Sequence, residues 1–502
     1  MNLHPASLVA LALDGAPFDL PAPASLASLR VHAALAVPTQ FELVFDDPTL
    51  DIADRFTPGT RVGIRVADGD LLTRGEVTAC EYSYAPDRRH QLRVRGYDLL
   101  HRLRRRRPVR QHADVTVVTL ARDLTADLDL TVDCSAQVPA WPFLIQSRQS
   151  DLELLVDLAA RCGLYPSVRD DRLHLIGLDG LGPPVALKLG QELLEVGIEV
   201  NGEWASREVQ VSGWNPLAVK EFTGRATQPQ VGLAVEARVN PAQLGDDGLW
   251  GLVDEAVLGE AHAQALAQGE LDSRSAHTVT ARGVAVGDTR LRPGSVVDLS
   301  GIHPHVAGRF VLTEVHHVVD ARRGFLTELT SVPPARRPRP TGTTLTLGVV
   351  TSVDDPDRLG RVQVRLPAVD DVETDWMGVL SLGAGKHKGL TILPDVGDTV
   401  VVLLGREDPA RGVVLGGLYG ADGSPDAGVE DGGVRRFSLV TAGGHRLQFD
   451  DQADSIRLEH DNGSFLELGA DAVVLHAARD LLVEAPGQSV KIRGATVDFE
   501  RK

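Results

Sequence analysis

RLQFDDQADSIRLEHDNGSFLELGADAVVLH, residues 446–476, carries one short pattern again and again. An apolar residue, a polar one and a second apolar one recur: Leu447 and Phe449, Ile456 and Leu458, Leu466 and Leu468. Val490 and Ile492, then Val497 and Phe499, continue it toward the C-terminus. Alternation of this kind is the signature of a strand with one buried face. The segments HRLQFDD, SIRLEHD, SFLELGAD, AVVLHAA, DLLVEAP, QSVKIRG and ATVDFERK recur about every eight to ten residues, with Asp, Asn, Gly or Pro at most breaks. Each strand is too short, and the segment too narrow, to close a core alone. The apolar side must therefore meet another copy or another domain. Short strands wrapped with those of other chains round a shared axis meet this need and leave few lateral edges. Seven such strands at about 4.8 Å each predict a spike of roughly 30–35 Å. An ordinary monomeric β-sandwich fits less well, because the spacing is regular, longer strands are lacking and aromatic core residues are scarce.

The rest of the chain is long and acidic. Its 502 residues suffice for roughly three to four domains. Apolar residues make up 43%, enough for real cores, and aromatic residues only 4%, so those cores are expected to rest on Val, Leu and Ala. A net charge of -18 argues against a nucleic-acid binder, whose affinity rests on neutralising phosphates. Cys80, Cys134 and Cys162 show neither a disulfide framework nor metal-ligand spacing. The first twenty residues carry no basic leader, and no apolar run approaches membrane-spanning length. A cytoplasmic assembly without a signal peptide is the resulting expectation.

Residues 1–110 read as mainly β, and 111–190 as mixed, with Asp114 a possible helix cap and Ser150/Glu153 a capping box. The run HRLRRRRPVR, residues 101–110, reads as a solvated loop, or as arginines facing acidic groups, rather than as a docking patch. Asp170 and Asp171 read as turn chemistry, not an acid/base pair. Residues 191–335 return to β structure around a helical stretch near Val253–Ala267. A Pro-rich linker spans 336–344. Residues 345–420 form a small β domain that begins with a hairpin, in which Leu345–Val350 pairs with the alternating Val362, Val364 and Leu366. A second linker, 421–436, leads to the spike, 437–502.

Four stretches carry a family resemblance. WMGVLSLGAGKHKGLTILPDVGDTVVVLLGREDPARGVVLGGLYG, residues 376–420, resembles the OB-fold barrel of contractile-tail spikes. That group comprises the VgrG proteins of type VI secretion, the central spikes of phage tails and the spikes of extracellular injection systems. Gly383, Gly385, Pro394, Gly397, Asp398 and Gly416 are the motif positions, alongside Trp376, Gly389, Pro409 and Leu418. Residues 96–109, 141–175 and 291–317 resemble, in the same order, the phage tail hub called late control protein D.

The resemblance implies a mainly β fold with minor α: hub β-barrel domains, an OB-fold collar and a C-terminal intertwined trimeric β-helix. Leu447, Phe449, Ile456, Leu458, Leu466, Leu468, Val490, Ile492, Val497 and Phe499 would form the trimer core. It implies a homotrimer whose hub, with pseudo-sixfold symmetry, adapts a hexameric Hcp-like tube to a threefold needle. Baseplate proteins are further partners, effectors are possible cargo, and the membrane enters only as the punctured target. The spike lacks the His-x-His of metal-tipped phage spikes, so the resemblance implies a separate PAAR-like tip protein docked on Val497, Phe499, Arg501 and Lys502.

No catalytic, cofactor or metal site is expected. GAGKHKG, residues 383–389, lacks the upstream glycine of a phosphate loop, and His387 stands where Ser or Thr would hold magnesium. His303, His305, His316 and His317 lack a carboxylate or cysteine at ligand spacing. The fifteen or so residues between Gly420 and Phe437 are too few for a lysozyme-like domain. The competing readings are a spike-associated envelope-degrading enzyme, glycosidase or peptidase, and a nucleic-acid-binding OB protein. The acidic residues Asp354, Asp355, Asp370, Asp371, Glu373 and Asp375 count against the latter.

Overall fold

In a computed structural model, the residues described are 5–19, 26–66, 70–86, 90–215, 220–253, 257–335, 342–406, 408–420 and 423–500. The chain divides into two compact units, Met1–Gly416 and Gly417–Lys502.

The first unit is organised by one eleven-stranded sheet. Its order is Leu193–Val200, Val279–Val286, Gly324–Thr330, Glu314–Asp320, Leu26–Ala34, Gln40–Asp46, His90–Tyr97, Asp70–Tyr84, Arg61–Val66, Val9–Leu13 and Ala16–Phe18. The two β regions separated in sequence are thus joined edge to edge. Leu26–Ala34 pairs antiparallel with Glu314–Asp320, placing His32 opposite His316 and Val31 opposite His317. Two apolar cores lie along this sheet. One holds Phe41, Phe45, Phe56, Ile64 and Leu92, the other Leu187, Leu291, Phe310 and Leu312. Val319 belongs to the first core and Ala33 to the second, so each seam strand contributes to its neighbour's interior. The few aromatics are concentrated inside: Trp141, Phe41, Phe45, Phe56 and Phe310 are the largest fully buried side chains.

Between these regions, helices Val117–Thr125 and Asp151–Arg161 pack round Trp141 and Leu155. Ser150 and Glu153 form the expected capping box: Ser150 Oγ accepts from Glu153 N at 3.3 Å, and the Glu153 carboxylate accepts from Ser150 N at 2.8 Å. The earlier helix is capped by Thr116, not Asp114. Asp114 lies in the strand Arg110–Thr116 with φ of 49°, a conformation that Asp tolerates. The later helix runs over Glu260–His277 rather than ending at Ala267. Ala263, Leu266, Ala267 and Leu271 keep a helical period and bury against the hairpin Glu208–Asn215/Lys220–Ala226, so the period continues past Gly269.

The small β domain is a closed five-stranded barrel. Thr343–Ser352 pairs with both Arg361–Leu366 and Thr399–Gly405, and Gly412–Gly417 and Met377–Val379 complete the ring. Val350 faces Val364 in the expected hairpin. Its core contains Val362, Val364, Leu366, Val400, Val402 and Val414, with Ile145 from the mixed segment packed in. Of the Pro-rich linker, residues 336–341 lie outside the described residues.

Candidate assembly surface

In the second unit, Arg436–Val440, Arg446–Asp450, Ser455–Glu459, Phe465–Leu468 and Val473–His476 form an antiparallel meander. Asp426 fixes its start. The Asp426 carboxylate accepts from Gly428 N at 3.0 Å, from Gln448 Nε2 at 3.3 Å, and from Ser438 Oγ and the Arg436 guanidinium. The Ser438 hydroxyl first, with the Gly428 amide and Arg436, holds this carboxyl well below the usual range.

The register sorts the side chains by face. Phe437 stands opposite Phe449, which stands opposite Ile456, then Leu468, then Val473. Beside this column run Leu439, Leu447, Leu458, Leu466 and Leu475. Ten apolar side chains therefore share one face. The other face carries Ser438, Gln448, Arg457 and Glu467, with the Arg457 guanidinium 3.9 Å from the Phe465 ring centre. Among the described residues, no apolar side chain after Val414 is buried. Leu458 is 57% exposed and Phe449 44%. Fully burying one such side chain from water contributes about 1.5–3 kcal/mol; with these side chains about half exposed, the stripe holds roughly 7–15 kcal/mol of unrealised stabilisation.

Of the seven short strands expected here, the described residues pair five into one ladder. Residues 477–500 form no strand or helix. Val490, Ile492, Val497 and Phe499 sit there at 48% to 89% exposure, without a ladder partner among the described residues. The sequence pattern of residues 480–500 is a strand pattern, but a strand exists only with a neighbour, and the described residues supply none. Of the tip-docking residues, Val497 and Phe499 are exposed, and Arg501 and Lys502 lie outside the described residues.

The barrel motif residues occupy turns. Asp395 N donates to Asp398 Oδ2 at 2.8 Å, Asp398 N donates to Asp395 O, and Gly397, with φ of 93°, donates to Val350 O. Gly385 pairs with Lys388 across a tight turn that includes His387, and Leu390 N donates to Leu382 O to close the wider loop that holds Gly383. Pro394 precedes this turn, and Gly416, with φ of 153°, lies in the last barrel strand.

The basic run is tied down by acids of its own chain. The Arg102 guanidinium donates to Glu76, the Arg106 guanidinium to Asp127 and Arg110 to Asp151 at 2.7 Å. Arg104 stacks over Tyr97. The run's first half belongs to a helix, Leu100–Arg105, residues 106–109 form neither helix nor strand, and Arg110 opens the strand Arg110–Thr116. Asp170 and Asp171 turn a hairpin and pair with Arg292 and Arg74. His303 and His305 lie on a short exposed turn, and His317 is buried against Thr327. His316 instead meets His32 and Glu314, a grouping hidden in sequence because His32 is so distant.

The chain matches the Alg8 N-terminal domain family over residues 46–321, more than half its length. Residues 346–419 match the type VI secretion system/phage-baseplate injector OB domain. The E. coli c3393 protein, described as a component of the type VI secretion system with structural similarity to T4 tail proteins gp27 and gp5, shares the fold. Its TM-score is 0.54 at 14% identity, over 82% of this chain and 99% of that one. A chain of the half-lidded Francisella PdpA-VgrG complex gives 0.57 at 7% identity, over 93% and 88%. No curated protein matches the sequence. The chain belongs to the Alg8 N-terminal domain family, followed by an injector OB domain, and it shares its fold with proteins of the type VI secretion system.

Proposed function

We propose that the protein works as a homotrimeric puncturing spike at the end of the tube of a contractile injection machine. The observation that carries this reading is the uncovered ten-residue apolar face of the meander. Three identical sheets turned inward would bury it as a common core, which one chain lacks. Residues 477–500 would then find backbone partners in the neighbouring copies. The work is mechanical: hydrogen-bonded strands across the needle share an axial load among many bonds. The hub would receive a hexameric tube, and Val497 and Phe499 would seat a PAAR-like tip. The PdpA-VgrG neighbour supports a role in a multiprotein assembly. Among the described residues, no helix is long and apolar enough to cross a membrane.

Light scattering on the full chain tests this reading. The expected mass is three times the 53.8 kDa of one chain. Hydrogen exchange on the same sample is expected to protect amides within 481–499, which have few partners inside the chain. A monomer at every concentration, with those amides unprotected, would refute the spike.

A further inference from the structure

On the polar face of the hub sheet, three side chains converge at the seam between its two halves. His32 comes from Leu26–Ala34, Glu314 and His316 from Glu314–Asp320. His32 and His316 are direct cross-strand partners. Residues i and i+2 of a strand share a face, so Glu314 stands beside them. His32 Nε2 lies 2.9 Å from Glu314 Oε1, and His316 Nε2 lies 3.6 Å from the same oxygen. The imidazole centres are 4.1 Å apart. One ligand atom from each residue falls within 4.8 Å of the other two. The side chains are 37%, 44% and 43% exposed, so an ion can reach them from solvent. Glu328 is the partner of His316 on the other neighbouring strand.

We propose that His32, Glu314 and His316 bind a divalent transition-metal ion of the Zn2+ class and so clamp the two halves of the hub sheet. Two imidazoles and a carboxylate with an open fourth position form a donor set for such an ion, whereas Ca2+ and Mg2+ take oxygen ligands. Bonds of about 2.0–2.2 Å place tetrahedral ligands roughly 3.3–3.5 Å apart. The two measured separations from Glu314 bracket that spacing. A hydrogen bond accounts for His32 and Glu314 alone; at 3.6 Å His316 is too far to complete one, yet it is aimed at the same oxygen. Burial first, then the neighbouring His32, lowers the His316 pKa, which favours the neutral imidazole that ligates metals. Both strands lie inside the sheet, so the ligands are held in place before an ion arrives.

The test uses the full chain, stripped with a chelator, dialysed and titrated with Zn2+ and then with Co2+. The expected result is a Zn2+ equivalent per chain assigned to this site, visible Co2+ absorption of a tetrahedral kind, and a Zn2+-dependent rise in melting temperature. The double variant H32Q/H316Q is expected to lose all three. H445Q/H460Q, which removes an exposed histidine pair in the second unit, is expected to keep them. Should the double variant fail to fold, E314Q serves instead, with Zn2+ affinity falling about tenfold or more. A wild-type chain that binds no Zn2+, or variants at these three residues that bind as tightly as wild type, would overturn the proposal.

Discussion

Leu458 and Leu466 stand directly opposite each other in neighbouring strands of the second unit, and both remain exposed. Pairing across the ladder brings these side chains together without taking either out of water. A third surface has to do that.

Leu458→Glu is therefore expected to leave a single chain folded and to break the assembly. In one chain the new carboxylate stays solvated. In a shared core, three would meet without partners, at a cost of several kcal/mol per chain. Light scattering should fall from three chains to one, with the far-ultraviolet spectrum preserved. Arg446→Gln, on the polar face, should keep three chains. An unchanged mass for Leu458→Glu would show that this stripe is not the contact.

The barrel has its own anchor. Asp355, buried, accepts from the backbone of Leu359 at 2.8 Å, Asp357 at 3.1 Å and Arg361 at 3.3 Å, and from Arg361 Nε at 3.0 Å. The Arg361 guanidinium, aided by the backbone amides, holds this carboxyl well below the usual carboxylate range. A carboxylate with a depressed folded pKa stabilises fully above its unfolded pKa of about 3.9 and loses that contribution as pH falls below it. Asp355→Asn should lower the melting temperature at pH 7 and flatten its decline between about pH 4 and 2. Melting curves across that range decide the point. Equal sensitivity to acid in both proteins would sink it.

Local physics made much of this legible in the sequence. The barrel hairpin followed from the alternation of Val362, Val364 and Leu366, and the Ser150 cap from a three-residue spacing. The apolar stripe from Leu447 to Leu468 followed from its period. Legibility failed where partners are remote in the chain. The seam joining Leu26–Ala34 to Glu314–Asp320 links residues nearly three hundred positions apart, and no local pattern encodes it. The pairing of Arg102 with Glu76 is of the same kind: the run could be read as facing acidic groups, but not which ones. Beyond His476 the described residues of one chain form no strand, because a period specifies a face and not a neighbour.

His317 gives the seam a pH dependence. It lies almost fully buried, with Nδ1 2.9 Å from Thr327 Oγ1, and burial pushes its pKa down to about 4. The unfolded chain takes up a proton near pH 6.5, which the folded one refuses. Stability is therefore lost as pH falls from about 6.5 to 4, by roughly 3 kcal/mol from this group. His317→Gln should weaken that loss without abolishing it, because His262 is also held near 4. Melting temperatures from pH 7 to 4, measured with chelator present, give the comparison. Superimposable profiles would rule out His317 as a contributor.

Gly269 reverses an ordinary rule. It sits in the interior of Glu260–His277, where replacing Gly by Ala normally stabilises a helix by about 0.5–1 kcal/mol. Here a Cβ would come within 2.8 Å of both Cα and N of Gly163, the residue at which the chain leaves Asp151–Arg161. The obstacle is backbone, so no side-chain rotation relieves it. Gly269→Ala should thus destabilise by about 1–3 kcal/mol, as overpacking does. The denaturation midpoint is expected to fall with an unchanged slope, which marks lost stability rather than an altered unfolded state. A midpoint at or above that of the wild type would mean that helix and turn separate freely, and that their close approach contributes nothing to holding the hub together.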